Sequence, residues 1–460
     1  MSDSVDSNDF LLQISSRYQL KRREFLKASL AACLGGAFLA ACNGGSSSSG
    51  GSAGLPKSAP AHAISQGLPE APGPLSLGVN GHFTTASDLE AQVEKLAAIG
   101  FGFMRLDLLW SLVERSKGQY DFSDFEGIVS TLAGLGIRPL FILDYNNALY
   151  EDTRSPPSTE TGPHTDAARQ AFGRFAAAVA AKFKGRGVIW EIWNEPDNPP
   201  FWYPKPNPDD YMALAKVAIT AMRQADPAAT IVAPALTGLE LKYQSAWKFL
   251  ERCFALGLMN LVDAISVHPY RLGPPETAAS DYQRLRTLIA RYVAGQKVNL
   301  PIISSEWGYS LTWVSQVQQA GYFVRLFIIN LANNVPVSIW YDWQDGPDPK
   351  QINDNFGMIT WTGQPKMAYF AAQTLTSELK DFHFAQQVSL PSAADYASLF
   401  TNGGARKQVM WTTGNPHTVT LPVNTTSVTI TSMTGEKHTL PTTDGQLTLQ
   451  LTGSPQYIAF

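Results

Sequence analysis

Residues 187–196 read GVIWEIWNEP. An apolar run, interrupted only by Glu191, stops abruptly at Asn194-Glu195-Pro196. A short run rich in β-branched and aromatic residues reads as a buried strand, and its polar end as the strand's lip. Working outward, the same texture recurs at LSLGVN (75–80), FMRLDLLW (103–110), RPLFILDY (138–145), TIVAPAL (230–236), VDAISVHPY (262–270), PIISSEW (301–307) and VSIWYDW (337–343). Helical patterns lie between them, such as ASDLEAQVEKLAAIG (86–100), HTDAARQAFGRFAAAVAAKFKG (164–185) and DDYMALAKVAITAMRQA (209–225). Their starts are signalled by Ser87 or Asp88, by Thr165 or Asp166, and by Pro208-Asp209. Strands alternating with helices imply a parallel sheet, and eight such units predict an α/β fold, a (β/α)8 TIM barrel over 75–380. An open doubly wound sheet is the alternative, but no Gly-rich phosphate loop follows the first strand.

The texture changes after about residue 380. KQVMWTT (407–413), HTVTLPV (417–423), SVTITSM (427–433), QLTLQL (446–451) and QYIAF (456–460) are short, rich in Thr and Val, and separated by Gly, Asn and Pro. They predict a C-terminal antiparallel β-sandwich domain over 381–460, packed on the barrel, with a structural role expected and sugar binding as the alternative. Net charge is -4 across 460 residues, which gives nucleic acid no electrostatic footprint. Eleven Trp, 16 Tyr and 23 Phe suit a protein that stacks rings on sugars, although the interior would use most of them.

The N-terminus reads as an address. KRREFLK (21–27) precedes an apolar stretch, 28–41, too short to span a bilayer. Arg22-Arg23 with Phe25-Leu26-Lys27 resembles a twin-arginine export signal, and Leu39-Ala40-Ala41-Cys42 resembles a lipobox. The resemblance implies a signal over 1–41, lipidation at Cys42, a membrane partner through that anchor, and a periplasmic or cell-surface location. The alternative is a signal cut by ordinary signal peptidase. NGGSSSSGGSAG and the Pro-dotted stretch to residue 74 form a flexible tether (42–74). With Cys33 removed and Cys42 lipidated, Cys253 is left alone and no intramolecular disulfide forms.

In a TIM barrel, chemistry sits at the C-terminal ends of the strands. Two glutamates stand there, Glu195 on the fourth strand and Glu306 on the seventh. Glycosidic hydrolysis needs such a pair, one carboxyl to donate a proton and one carboxylate to attack or to activate water. WNEP (193–196) with SSEWG (304–308) resembles the retaining glycoside hydrolases of clan A. WEIWNEPD (190–197), RLDLLW (105–110) followed by KGQYDF (117–122), and SVHPY (266–270) look most like glycoside hydrolase family 39, which contains β-xylosidases, α-L-iduronidases and bacterial exopolysaccharide hydrolases.

That resemblance implies Glu195 as acid/base and Glu306 as nucleophile. It implies Asn194 on the sugar 2-hydroxyl, His268 and Tyr270 beside the nucleophile, Arg105 beneath the site, and Trp343 as the aromatic under the cleaved sugar. His82 and Asn147 are further candidates for sugar hydroxyls, and Trp202, with Phe201 and Tyr203, for a leaving-group platform. Glu191 reads as structural with Arg105 as its partner, and Asp197 as a residue fixing the loop that follows. There is no HExxH and no Cys/His cluster, so neither metal nor cofactor is expected. The function expected is hydrolysis of a β-linked polysaccharide, an exopolysaccharide above all, by a monomer. The alternatives are a xylan-type exo-glycosidase and a non-catalytic polysaccharide-binding lipoprotein.

Overall fold

The computed structural model describes residues 67–69, 76–152, 156, 160–240, 244–292 and 300–460. The export signal, Cys42 and nearly all of the tether lie outside the described residues. Eight strands, β1 (Leu77–Asn80), β2 (Phe103–Leu109), β3 (Arg138–Asp144), β4 (Ile189–Ile192), β5 (Thr230–Thr237), β6 (Ala264–His268), β7 (Ile302–Trp307) and β8 (Ser338–Trp340), form a closed barrel in chain order. Every neighbouring pair is parallel, and β8 returns to β1 through Leu77↔Ser338 and Val79↔Trp340. The fold is the TIM barrel that the alternation implies.

Side-chain period two sorts each strand into an outer and an inner face. Phe103, Leu140, Ile189, Val232, Ala264, Ile303, Val337 and Ile339 form one apolar layer across the barrel. Two residues further along the same strand faces stand Arg105, Glu191, Ser266 and Ser305, all buried. The barrel therefore has an oily floor beneath a polar storey. Outside it, helices turn an apolar stripe inward. Helix Asp166–Lys182 buries Ala168, Ala171, Phe172, Phe175, Ala176 and Val179, and Thr165 caps its start by accepting from the Ala168 amide at 3.2 Å.

The C-terminal chain builds β9 (His383–Gln387), β10 (Asp395–Asn402), β11 (Ala405–Thr412), β12 (His417–Pro422), β13 (Ser427–Thr431), β14 (Lys437–Pro441), β15 (Gln446–Leu451) and β16 (Gln456–Ala459). Six of them form a sheet in the order β14-β13-β16-β11-β10-β9, and β12 pairs with β15. In β15, Leu447, Leu449 and Leu451 are buried while Gln446, Thr448 and Gln450 face out. These leucines meet Met410, Val428, Ile430 and Ile458 of the larger sheet in a core of their own, an antiparallel sandwich.

Sequence and structure differ at the end of β8. The sequence runs the strand to Trp343, whereas the ladder stops at Trp340. Beyond it, the Tyr341 amide donates to Trp307 O and the Trp343 amide to Asn80 O, each at 2.9–3.0 Å. The lip is held by its two neighbours without regular register.

The floor layer offers a stability test. Leu140→Ala leaves a cavity in an interior with no route for collapse, so unfolding in urea should show a loss of about 2–5 kcal/mol.

Candidate active site

Arg105, two residues above the floor on β2, is fully buried, and its guanidinium is the hub of the polar storey. Nε donates to Glu191 Oε2 at 2.7 Å, and Nη1 donates to Glu306 Oε2 at 2.6 Å and to Asn80 Oδ1 at 3.1 Å. Nη2 donates to Asn194 Oδ1 at 2.8 Å and lies 3.4 Å from His268 Nε2. One cation thus links β1, β4, β6 and β7. A guanidinium offers only donors, so His268 Nε2 fits as an acceptor. Its Nδ1–H then donates to Glu195 Oε1 at 2.8 Å.

Glu306 has a second donor, the Tyr270 hydroxyl, 2.8 Å from Oε1. Burial and the neighbouring Glu306 carboxylate push the Tyr270 phenol well above its usual range, so it stays protonated and donates. Glu195 is held differently. Asn198 Nδ2 donates to its Oε2 at 3.0 Å. The backbone of β4's lip is left-handed at Trp193 (φ 69°) and at Glu195 (φ 45°), conformations costly for residues with a Cβ and concentrated at functional sites.

Carboxylate oxygens of Glu195 and Glu306 and a ring nitrogen of His268 all lie within 4.8 Å of one another. That spacing could suit a metal, but the Arg105 guanidinium is already ion-paired to Glu306 and touches His268. A fixed cation fills the electrostatic role a metal would take there. Paired carboxyls at about 5–5.5 Å belong to glycosidases with a covalent intermediate, and those at about 6.5–9.5 Å to inverting enzymes.

Around this pair, His82 sits between Asp342 (3.2 Å) and Asp107 (3.8 Å), edge-on to Tyr341. Gly308 of the SSEWG segment allows the lips of β7 and β8 to touch, since a Cβ there would lie 1.9 Å from Tyr341 O.

Three expectations need correction. Trp343 is buried, with its ring against Tyr369 of helix Met367–Leu379, so it presents no open sugar platform; the β8 aromatic beside His82 is Tyr341. Trp202 is fully buried and packs edge-on against Trp193 and Tyr211, with Gly162 directly under its ring; it anchors the loop after β4. Phe201 is buried likewise. Asn147 spends its side chain on backbone groups, donating to Glu114 O beyond β2 and accepting from the Leu149 amide of its own loop.

Glu191 is paired with Arg105, and Asp197 accepts from the Thr237 amide at 3.0 Å, tying the lip of β4 to β5. Sequence reasoning missed Asn198. Its position three residues past Glu195, in a turn rich in Asp, Asn and Pro, was the available signal.

A parallel barrel carrying two buried carboxylates at the lips of β4 and β7 at this spacing defines a retaining β-glycosidase of clan A. The family model described as cellulase (glycosyl hydrolase family 5) matches residues 71–346, more than half of the chain. The chain belongs to that family, and within clan A it is most like glycoside hydrolase family 39.

A solved family 39 glycoside hydrolase from the gut symbiont Bacteroides cellulosilyticus WH2 is 26% identical, with a TM-score of 0.73 over 85% of this chain and 82% of its own. A family 39 β-xylosidase from Caulobacter crescentus shares the fold at 16% identity and a TM-score of 0.62, over 86% of this chain and 98% of its own. So does the family 39 enzyme from Xanthomonas axonopodis pv. citri, at 14% identity and a TM-score of 0.62, over 85% and 94%. No curated protein matches the chain significantly.

The lip of β4 carries a pH signature. Asp197 as a whole residue is only partly buried, but its carboxyl is packed among interior atoms. Burial, with the nearby Glu195 charge, pushes its pKa from 3.8 to about 8 against the Thr237 hydrogen bond. Between those values the folded chain keeps a proton that the unfolded chain has lost. Asp197's contribution to stability therefore falls as pH rises from about 4 to about 8 and levels off above. Asp197→Asn removes this dependence. Melting temperatures across pH 4–9 should show wild type losing ground to the variant up to pH 8; parallel curves would contradict the assignment.

Proposed function

We propose that Glu306 is the nucleophile and Glu195 the acid/base of a double displacement on a β-linked polysaccharide. The observation that carries this reading is the short distance between the two carboxylates, within 4.8 Å oxygen to oxygen. Arg105 and Tyr270 give Glu306 a cation on one oxygen and a hydroxyl donor on the other, the surroundings an attacking carboxylate needs. Among the described residues Glu195 pairs with no Arg or Lys, and two donors set its orientation, His268 and Asn198.

In the first step a Glu306 oxygen bonds to the anomeric carbon while the Glu195 proton passes to the leaving glycosidic oxygen. In the second, Glu195 takes a proton from water, the water oxygen bonds to the anomeric carbon, and the Glu306 ester bond breaks. In this reading Asn194, held by Arg105, serves the 2-hydroxyl, and His82, between Asp107 and Asp342, a further sugar hydroxyl.

The substrate we infer is an exopolysaccharide of the producing cell. The twin-arginine and lipobox resemblances support it, since they imply export, lipidation at Cys42 and a tether that keeps the enzyme beside the envelope. A xylan-type oligosaccharide is the second reading, favoured by the likeness to the Caulobacter crescentus β-xylosidase.

Two experiments test these assignments. Glu306→Ala should lose about 10³-fold or more in kcat on an activated aryl glycoside and, with azide, yield the inverted glycosyl azide. Wild-type turnover by the variant without azide would overturn the nucleophile assignment. Purified exopolysaccharide and aryl xylosides assayed side by side should show turnover of the polymer; cleavage of the xylosides alone would replace the first substrate by the second.

A further inference from the structure

The hydroxyl that steadies Glu306 belongs to Tyr270, and Tyr270 stands on the loop between β6 and helix Ala278–Tyr292. That loop is fastened along its length. Arg271 Nε donates to Pro269 O at 3.0 Å, its Nη1 donates to Thr277 and Asp281, and its guanidinium lies over the Trp307 ring, next to Glu306. Tyr309 Oη donates to Gly273 O at 2.9 Å.

The last fastening crosses between domains. Glu276 is buried, and Arg325 of helix Gln316–Ala332 grips both its oxygens at 2.7 and 2.8 Å. A third donor, Trp411 Nε1 on β11 of the sandwich, reaches Glu276 Oε1 at 2.7 Å. The Trp411 ring lies flat on Tyr396, 5.2 Å between centroids and 2° from parallel. A buried bidentate pair resists displacement because any shift leaves charge unsatisfied.

We propose that the C-terminal β-domain positions the nucleophile: Trp411, acting through Glu276 and the 269–277 loop, holds Tyr270 against Glu306. Trp411 and Glu276 are positioning residues, not catalytic ones, and the inference rests on Glu306 as nucleophile. A second bridge between the domains supplies the comparison. Lys407, also on β11, binds Glu378 of helix Met367–Leu379 at 2.6 Å, and its hydrogen bonds go to that helix rather than to the Tyr270 loop.

Trp411→Phe keeps a ring on Tyr396 and removes the N–H. Glu276→Gln keeps the shape and weakens the clamp from the barrel side. Each is compared with Lys407→Met in the full chain. The readouts are kcat and KM on an activated aryl β-glycoside, and the rate and affinity constants for inactivation by the matching 2-deoxy-2-fluoro glycoside, whose covalent step is attack by the nucleophile.

Trp411→Phe should lower kcat and the inactivation rate together by about 3- to 10-fold, with KM and inhibitor affinity within about twofold. Lys407→Met should lower only the melting temperature. Equal kcat and inactivation rate in Trp411→Phe and wild type, or equal losses in Trp411→Phe and Lys407→Met, would overturn the inference. Should Trp411→Phe fail to fold, Glu276→Gln decides by the same criteria. A wild type that turns over no glycoside and takes no label overturns the Glu306 assignment itself, and this inference with it.

Discussion

A fully buried guanidinium governs this site. Arg105 is sealed inside the barrel, where an unpaired charge would be prohibitive. The surrounding strands answer it with Glu191, Glu306, Asn80 and Asn194. The ion pairs are not a source of stability in themselves, because desolvation offsets most of the attraction. What they provide is geometry. A planar fork with fixed donors leaves its acceptors little freedom, so Glu306 is aimed by the same contacts that neutralise Arg105. The oily layer beneath, from Phe103 to Ile339, keeps the polar storey dry and at one height.

The two carboxyls proposed for catalysis receive different surroundings from this frame. Glu306 meets a cation and a buried phenol. Glu195 stands at a left-handed bend and meets an imidazole N–H and an amide. Two identical side chains thus stand in different surroundings, as the proposed division of tasks between them requires. Asp197, one turn further along, is a third carboxyl whose burial works against its charge, and it is used to tie two lips together.

Fastening continues outward from the barrel. The loop after β6 is held by Arg271, Tyr309 and Glu276, and Glu276 is shared between a barrel helix and a sandwich strand. The sandwich has its own apolar core and its own alternation in β15, yet Trp411 and Lys407 on β11 both reach into the barrel's helices and loops.

The sequence by itself determined the barrel, because the alternation of buried runs and amphipathic helices is a local pattern with one economical solution. It singled out Glu195 and Glu306 as candidates, because strand lips are legible from where apolar runs stop, and it paired Glu191 with Arg105, because a buried charge demands a partner. It misplaced Trp343 and Trp202. An aromatic at a lip reads the same whether its face meets a sugar or another ring, and only packing against Tyr369, or against Trp193 and Tyr211, decides. Trp411 was invisible for a related reason. A hydrogen bond across more than a hundred residues depends on how rigid elements meet in space, and period and composition carry no record of that meeting.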